Sequence, residues 1–239
     1  MCVLEPITDL TTFVATRTAW HTLAERVLAP ARHAATGRIG LRPAPGGFAT
    51  PEFATNESGR RALAVAGAEL VIRNGSEQHC FPITTLGAAA QQAGTAPDAD
   101  TGVFAPSTPA DPETALTIDA AAAAALGGWF ALGGDVLGRW RADHAGESPS
   151  VVQLWPEHFD LAADLGPSDA QRANYGFSPG DGGHALPYAY VGPWESQSGG
   201  FWNGGSYAWL GYEDLVGVDD PGEAVLAFFA EGRRAIAAA

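Results

Sequence analysis

Residues 95–112, TAPDADTGVFAPSTPADP, are rich in Pro, Asp, Thr and Ala and show no sustained hydrophobic period. Such a stretch is typical of a linker or a long exposed loop, and it divides the chain in two. The full length of 239 residues is close to the size at which one hydrophobic core begins to split. We therefore expect a single compact unit over residues 1–239 that contains two pseudo-repeat halves, residues 1–94 and 113–239.

The first half is predicted to begin with a helix and to continue as antiparallel strands. Apolar residues at helical spacing indicate a helix over residues 10–29 that starts at Asp9 and is stopped by Pro30. Short extended pieces follow around a Pro-Gly-Gly turn, and residues 62–83 alternate like strands joined by tight turns. A short helix over residues 84–93 closes this half.

The second half repeats that order of predicted elements. A long helix runs from Asp119 to about Asp143, and a last helix starts with Asp220 as its N-cap. Strands are predicted between these helices at about residues 150–162, 172–177, 186–192 and 206–212. The long helix contains several glycines, which disfavour helix, so we infer that some of them permit close packing.

The order helix, strands, helix in each half predicts the fold class. The simplest architecture consistent with it is an α+β fold, in which helices pack on one face of an antiparallel sheet.

The charge and the N-terminal sequence limit the partners. A formal net charge of −14 argues against nucleic acid and anionic membranes, because both are bound through basic side chains. No apolar run approaches the roughly 20 residues of a membrane span, and MCVLEPITDL lacks the basic start of a signal peptide. We expect a cytoplasmic, acidic protein.

Residue usage excludes several classes of chemistry. Every basic residue is Arg, so Schiff-base catalysis, pyridoxal-phosphate attachment and a Walker lysine are ruled out. Only Cys2 and Cys80 are present, which excludes a disulfide framework and a Cys-rich zinc site. We expect both thiols to be inert.

The segment GFSPG, residues 176–180, matches the nucleophile elbow of hydrolases in its letters but not in its mechanism. The residue after Ser178 must donate its backbone N–H to an oxyanion, and Pro179 has none. A type II turn with Pro179 and Gly180 at its centre is the better interpretation.

The segment LWPEHFDLA, residues 154–162, places His158 and Asp160 at a spacing that suits metal ligation. On a strand, both side chains would emerge from one face. Together with His184 they follow the sequence order of a two-His-one-carboxylate metal site. The candidate cofactor is therefore one divalent transition metal. A metal-free acid–base pair and a purely structural role for the same residues remain open alternatives.

Aromatic residues are dense between positions 155 and 209. Much of this density is expected to be core, but Tyr and Trp also suit small-molecule pockets because each has an apolar ring and a polar group. Tyr188 and Tyr190 should share one strand face. With Trp155 and Trp194 they are the candidate ligand-binding residues.

The segments SVVQLWPEHFDLA, NYGFSPGD, LPYAYVGPW, LGYEDL and DPGEAVLAFF together resemble a family of uncharacterised bacterial proteins known only as a domain of unknown function. The resemblance covers most of the chain, and FDLA and GFxPG are its most specific parts. Many members of that family carry WGSFDLA at this place, which matches Asp160 but offers no counterpart to His158. The resemblance thus weakens the metal hypothesis, and it implies no activity, cofactor or substrate.

Three functional hypotheses follow from the sequence. We expect the protein to bind a small-molecule ligand in an aromatic-lined pocket of the C-terminal half. The alternative is an enzyme in which His158, Asp160 and His184 perform acid–base or metal-assisted catalysis. A third hypothesis is an interaction or scaffold module that uses a sheet face or groove.

Overall fold

The computed structural model describes residues 4–55 and 59–238, which form two compact units. The N-terminal unit comprises Asp9–Gly128 and Leu154–Phe159, and the C-terminal unit comprises Met1–Thr8, Trp129–Gln153 and Asp160–Ala239. Each unit contains an antiparallel sheet with helices, so the predicted α+β class is confirmed. Cys2 lies outside the described residues.

The N-terminal unit begins with one long helical stretch and continues as a six-stranded sheet. Its helices are α1 (Leu10–Leu23), a π-helical segment (Ala24–Leu28), α2 (Ala29–Thr36) and α3 (Leu86–Ala93). Its strands are β1 (Arg42–Ala44), β2 (Gly47–Ala49), β3 (Phe53–Ala54), β4 (Arg60–Ala66), β5 (Glu69–Asn74) and β6 (Glu77–Pro82). The sheet order is β1-β2-β4-β5-β6, with β3 also paired to β4, and Cys80 lies exposed on the edge strand β6.

The sequence predicted that the first helical stretch stops at Pro30, and this prediction is wrong. The stretch continues through α2 to Thr36 and ends at Gly37, whose φ of +68° is left-handed. A proline lacks the N–H of a regular helical hydrogen bond and its ring clashes with the preceding turn. Here the π-helical segment directly precedes α2, and its wider turn lets the helix continue through Pro30.

The core of the N-terminal unit lies between these helices and its sheet. Trp20 is fully buried against Phe48, with ring centroids 5.7 Å apart, and its indole N–H donates to the carbonyl of Gly67. Along β4 and β5, buried residues alternate with more exposed ones, which is the pattern of a sheet with one covered face.

Residues 154–159 belong to this unit although they lie far along the chain. Leu154 pairs with Leu41 through two backbone hydrogen bonds of 2.8 and 2.9 Å. The Phe159 ring lies 5.2 Å from the ring of His21 and 5.3 Å from that of Phe48. Most of LWPEHFDLA is therefore part of the packing of the N-terminal unit.

The predicted continuous strand over residues 150–162 is wrong. Strands occupy Gln153–Trp155 (β7) and Asp160–Leu165 (β8), and residues 156–159 form a turn between them. Phe159 has a left-handed φ of +54°, which a strand cannot contain. The alternation that would have placed His158 and Asp160 on one strand face is interrupted here.

The C-terminal unit contains the second sheet. Its remaining strands are β9 (Ala173–Ser178), β10 (Tyr188–Pro193) and β11 (Ala208–Gly211), and the sheet order is β11-β10-β9-β8-β7. Three further helices follow α3 along the chain, namely α4 (Ala120–Asp143), α5 (Tyr212–Leu215) and α6 (Pro221–Ala237). Asp220 caps α6 by accepting from the N–H of Glu223, as the sequence predicted.

One face of this sheet is an apolar core. Phe177 and Tyr175 on β9 pack against Trp129 and Trp140 of α4, with ring centroids 4.9 and 5.2 Å apart, respectively. Phe229 of α6 lies 5.3 Å from Tyr175. The helices therefore cover this face of the sheet. The residues that alternate with Tyr175 and Phe177 along the strands lie on the second face.

Among the described residues, α4 is the one helix long and apolar enough to cross a membrane, and 56% of its apolar window is buried in the fold. The expectation that no apolar run approaches that length is therefore wrong for α4. A buried core helix of a soluble protein passes the same test of length and composition, so the finding does not by itself indicate a membrane.

Candidate functional site

The candidate site lies on the second face of the C-terminal sheet, which we call the polar face. Strand pairing places Tyr190 opposite both Gly176 and Trp209, and Tyr188 opposite Ser178. Directly opposed residues in an antiparallel sheet share a face, and so do residues two apart on one strand. The polar face includes Asp160, Ala162, Gly176, Ser178, Tyr188, Tyr190 and Trp209, and by the same pairing it continues through Asp164, Asn174, Gly192 and Gly211.

Asp160 and Tyr190 form the central contact of the polar face. The Tyr190 hydroxyl donates a hydrogen bond to Oδ2 of Asp160, the first residue of β8. The Tyr190 ring lies across Gly176, where an added Cβ would come within 2.4 Å of ring carbons. Gly176 therefore has a steric reason to be glycine, because any larger residue would displace the ring from Asp160.

A short loop between β9 and β10 holds a second carboxylate. Oδ1 of Asp181 accepts from the backbone N–H groups of Gly183 (2.6 Å) and His184 (2.8 Å). Oδ2 of the same side chain accepts from the Tyr188 hydroxyl at 2.6 Å. Burial alone would raise the pKa of Asp181, but these hydrogen bonds outweigh it and hold the pKa below its usual range.

His184 is surrounded by aromatic residues. Its ring centroid lies 4.5 Å from the Trp209 ring and 5.1 Å from the Tyr188 ring. Its Nε2 lies 3.2 Å from the hydroxyl of Tyr207. His184, Tyr190, Tyr207 and Trp209 are all half-buried, so solvent reaches the edge of this cluster.

The tyrosines of the polar face are held in their protonated form. Burial raises the pKa of Tyr190 well above its ordinary value, and the charge of Asp160 raises it further. Burial and the hydrogen bond to Asp181 likewise raise the pKa of Tyr188. Both hydroxyls are therefore donors at neutral pH, and the two carboxylates are their acceptors.

The three residues proposed as metal ligands or catalytic groups belong to different compact units. His158 is exposed on the turn of residues 156–159 in the N-terminal unit, whereas Asp160 and His184 belong to the C-terminal unit. Within residues 4–55 and 59–238, no group of three His, Cys, Asp or Glu side chains could hold a metal ion. Asp160 is paired with Tyr190, and His184 with Tyr207.

The four predicted ligand-binding residues are only partly brought together. Tyr188 and Tyr190 do share a face, with ring centroids 6.3 Å apart. Trp194 follows the other end of β10, roughly 20 Å from Tyr188 at the rise of a strand, where its indole N–H donates to Asn174. Trp155 belongs to the N-terminal unit and is 37% exposed.

Sequence reasoning missed Asp181, Tyr207 and Trp209 as members of this cluster. One signal was available for Asp181, because Asp-Gly-Gly after a Pro-Gly pair is typical of a turn in which the carboxylate accepts backbone N–H groups. Trp209 becomes a neighbour of Tyr190 only through strand pairing, which the sequence pattern does not specify.

In the GFSPG segment, Gly176, Phe177 and Ser178 end strand β9, and Pro179 and Gly180 lie in the connection that follows it. Ser178 ends β9 and is 5% exposed, and its hydroxyl accepts from the N–H of Gly180 at 3.1 Å. Gly180 has a φ of +94°, as the third position of a type II turn requires. Ser178 therefore supports the loop that carries Asp181.

Comparison with known proteins does not assign this site. No family model matches the chain, and neither a curated protein nor a solved structure matches it. The function is therefore inferred from the geometry of the polar face.

Proposed function

We propose that the protein binds a small organic molecule at the polar face of the C-terminal sheet. The observation that supports this function is the cluster itself. Two carboxylates, two protonated tyrosines and a histidine meet beside Trp209, on the face opposite the apolar core. An apolar core needs none of these groups, and burying a carboxylate such as Asp160 costs free energy unless it is hydrogen-bonded.

The chemistry of the cluster indicates what kind of molecule it suits. Asp160 and Asp181 are acceptors, so a ligand should present hydrogen-bond donors. The rings of Trp209, Tyr188 and His184 offer flat apolar surface with polar edges, which suits a planar or cationic group. Shifted pKa values of Asp181, Tyr188 and Tyr190 at one place are also typical of functional sites.

Catalysis at the same face is the second candidate. The Nε2 of His184 lies 3.2 Å from the hydroxyl of Tyr207, a geometry in which an imidazole and a hydroxyl can share a proton. Turnover of a bound compound, lost in His184→Ala, would favour this candidate over binding alone.

The proposal is tested by thermal unfolding in the presence of a compound library of amines, planar heterocycles and organic acids. We expect at least one donor-bearing compound to raise the Tm of the wild type by roughly 5–10 °C at about 100 times its Kd. That shift should be lost in Trp209→Ala and reduced in Tyr190→Phe, each measured against its own unliganded Tm.

Trp194→Ala is the matched control, because Trp194 lies at the other end of the same strand and is 53% exposed. It should keep the full ligand-induced shift. If no compound shifts the Tm, or if Trp194→Ala removes the shift as completely as Trp209→Ala, the polar face is not the binding site.

A further inference from the structure

The N-terminal unit contains a cavity of its own, and none of the residues of the polar face lines it. Its volume is ≈ 580 Å³, within the range of small-molecule sites, and it is open to solvent. It is lined by Arg26, Asp98, Asp100 and the segment 102–106. The cavity wall thus combines one cation, two carboxylates and an apolar strip that includes Val103 and Phe104.

The π-helical segment fixes one side of this cavity. Glu25, in that segment, accepts from the backbone N–H groups of Ser107 (3.0 Å) and Thr108 (2.9 Å). Arg26, the next residue, donates from Nε to the carbonyl oxygen of Thr108 at 3.0 Å. π-helical turns occur frequently at functional sites, and this one holds the loop that lines the cavity.

The charged groups of the cavity do not neutralise one another. Among the ion pairs of residues 4–55 and 59–238, none within 4.0 Å involves Arg26, Asp98 or Asp100. Arg26 uses Nε and Nη2 on Thr108, so Nη1 is left as a donor. Asp100 uses one carboxylate oxygen on the N–H of Gly102 and keeps the other.

We propose that this cavity binds a zwitterionic small molecule with an apolar substituent, of the chemical class of a free α-amino acid. Arg26 takes the carboxylate, since a guanidinium is suited to carboxylate recognition. Asp98 and Asp100 take the ammonium group. Val103 and Phe104 contact the apolar substituent, whose burial adds affinity. This site is independent of the function proposed for the polar face.

The test is calorimetric titration of the full-length protein with L-leucine and L-phenylalanine, compared with two single-charge analogues of leucine. These are 3-methylbutylamine, which lacks the carboxylate, and 4-methylpentanoate, which lacks the amine. We expect at least one amino acid to bind, and each analogue of leucine to bind about tenfold or more weakly than leucine, because each loses a charge-assisted contact.

Variants identify the site. Arg26→Gln keeps a donor for Thr108 but removes the charge. Asp98→Asn with Asp100→Asn changes two exposed side chains, and the amide oxygen of an asparagine at position 100 can still accept the N–H of Gly102. Both variants should weaken binding about tenfold or more. Asp111→Asn, an exposed aspartate that also accepts a nearby backbone N–H, is the matched control and should bind like the wild type.

Three outcomes would overturn the proposal. The first is no binding of either amino acid at concentrations up to about 10 mM, because a Kd above that concentration is too weak for a specific site. The second is leucine binding that the Asp98 and Asp100 substitutions leave unchanged. The third is binding lost in Trp209→Ala but kept in Arg26→Gln, which would assign the amino acid to the polar face instead.

Discussion

Glu25 is the most deeply buried acid among the described residues, at 1% exposure. Burial alone would raise its pKa, but hydrogen bonds from His21, Thr108 and Ser107 outweigh burial and lower the pKa to about 2. The ring of His21 also reaches the carbonyl oxygen of Pro156, at 2.9 Å. One carboxylate therefore links the first helical stretch to the loop of residues 107 and 108.

The lowered pKa of Glu25 predicts an acid-sensitive stability. The unfolded chain binds this proton near pH 4.5 and the folded chain only near pH 2, so the stabilisation is complete above pH 4.5. It is lost as the pH falls from about 4.5 to about 2, and amounts to up to about 3 kcal/mol. Urea unfolding at pH 6 and at pH 3 measures it.

Glu25→Gln should have a lower free energy of unfolding than the wild type at pH 6. Between pH 6 and pH 3, its free energy of unfolding should fall by less than that of the wild type. Glu69→Gln is the control, because Glu69 is exposed on the sheet of the same unit. If Glu25→Gln and wild type lose the same free energy of unfolding between the two pH values, Glu25 does not carry the acid sensitivity.

The residues of the polar face were only partly predictable. Alternation along one strand was enough to place Tyr188 and Tyr190 together, since a strand has a fixed period of two. The contact between Asp160 and Tyr190 joins different strands and depends on their register. The break in strand alternation between His158 and Asp160 depends on the left-handed φ of Phe159, a conformation that its side chain does not favour.

At the scale of elements, the glycines of α4 have different roles. A Cβ at Gly133 would lie 2.8 Å from Cγ of Phe177, and one at Gly127 would lie 3.0 Å from the backbone of Gly46. At Gly128 and Gly138 a Cβ would meet nothing within 4 Å. The inference that some of these glycines permit close packing is therefore confirmed for Gly133 and Gly127.

This difference predicts opposite effects of two alanine substitutions. Gly133→Ala should destabilise the protein by about 1–2 kcal/mol, because the clash with Phe177 exceeds the gain in helix propensity. Gly138→Ala should stabilise it by up to about 1 kcal/mol, since only the propensity changes. Chemical unfolding of both variants is the measurement, and equal destabilisation by both would show that Gly133 is not a packing contact.

Elements with local signals were predicted and those with long-range causes were not. Asp9 and Asp220 cap their helices as expected, because a cap depends on a few neighbouring residues. The continuation through Pro30 depends on the π-helical segment, which has no sequence signature of its own. The chain passes into the N-terminal unit at Leu154, within β7, and returns to the C-terminal unit at Asp160, where β8 begins.

At the scale of the whole molecule, the chain enters each compact unit more than once. Residues 154–159 join the unit of Asp9–Gly128, although they lie beyond α4 in the sequence. The bridge between Leu41 and Leu154 connects residues more than a hundred positions apart. Hydrophobic periodicity describes neighbours along the chain. It therefore predicts helices and strands, but not that a late segment such as residues 154–159 joins the unit formed by an earlier part of the chain.

The function proposed for the polar face is tested most directly by the native mass of the purified full-length protein, compared with its denatured mass. We predict an excess mass, either as purified or after incubation with the compounds that raise the Tm, that is released on denaturation. Trp209→Ala should lose this excess and Trp194→Ala should retain it. A bare chain mass under all these conditions, or an excess that Trp209→Ala retains unchanged, would contradict binding at the polar face.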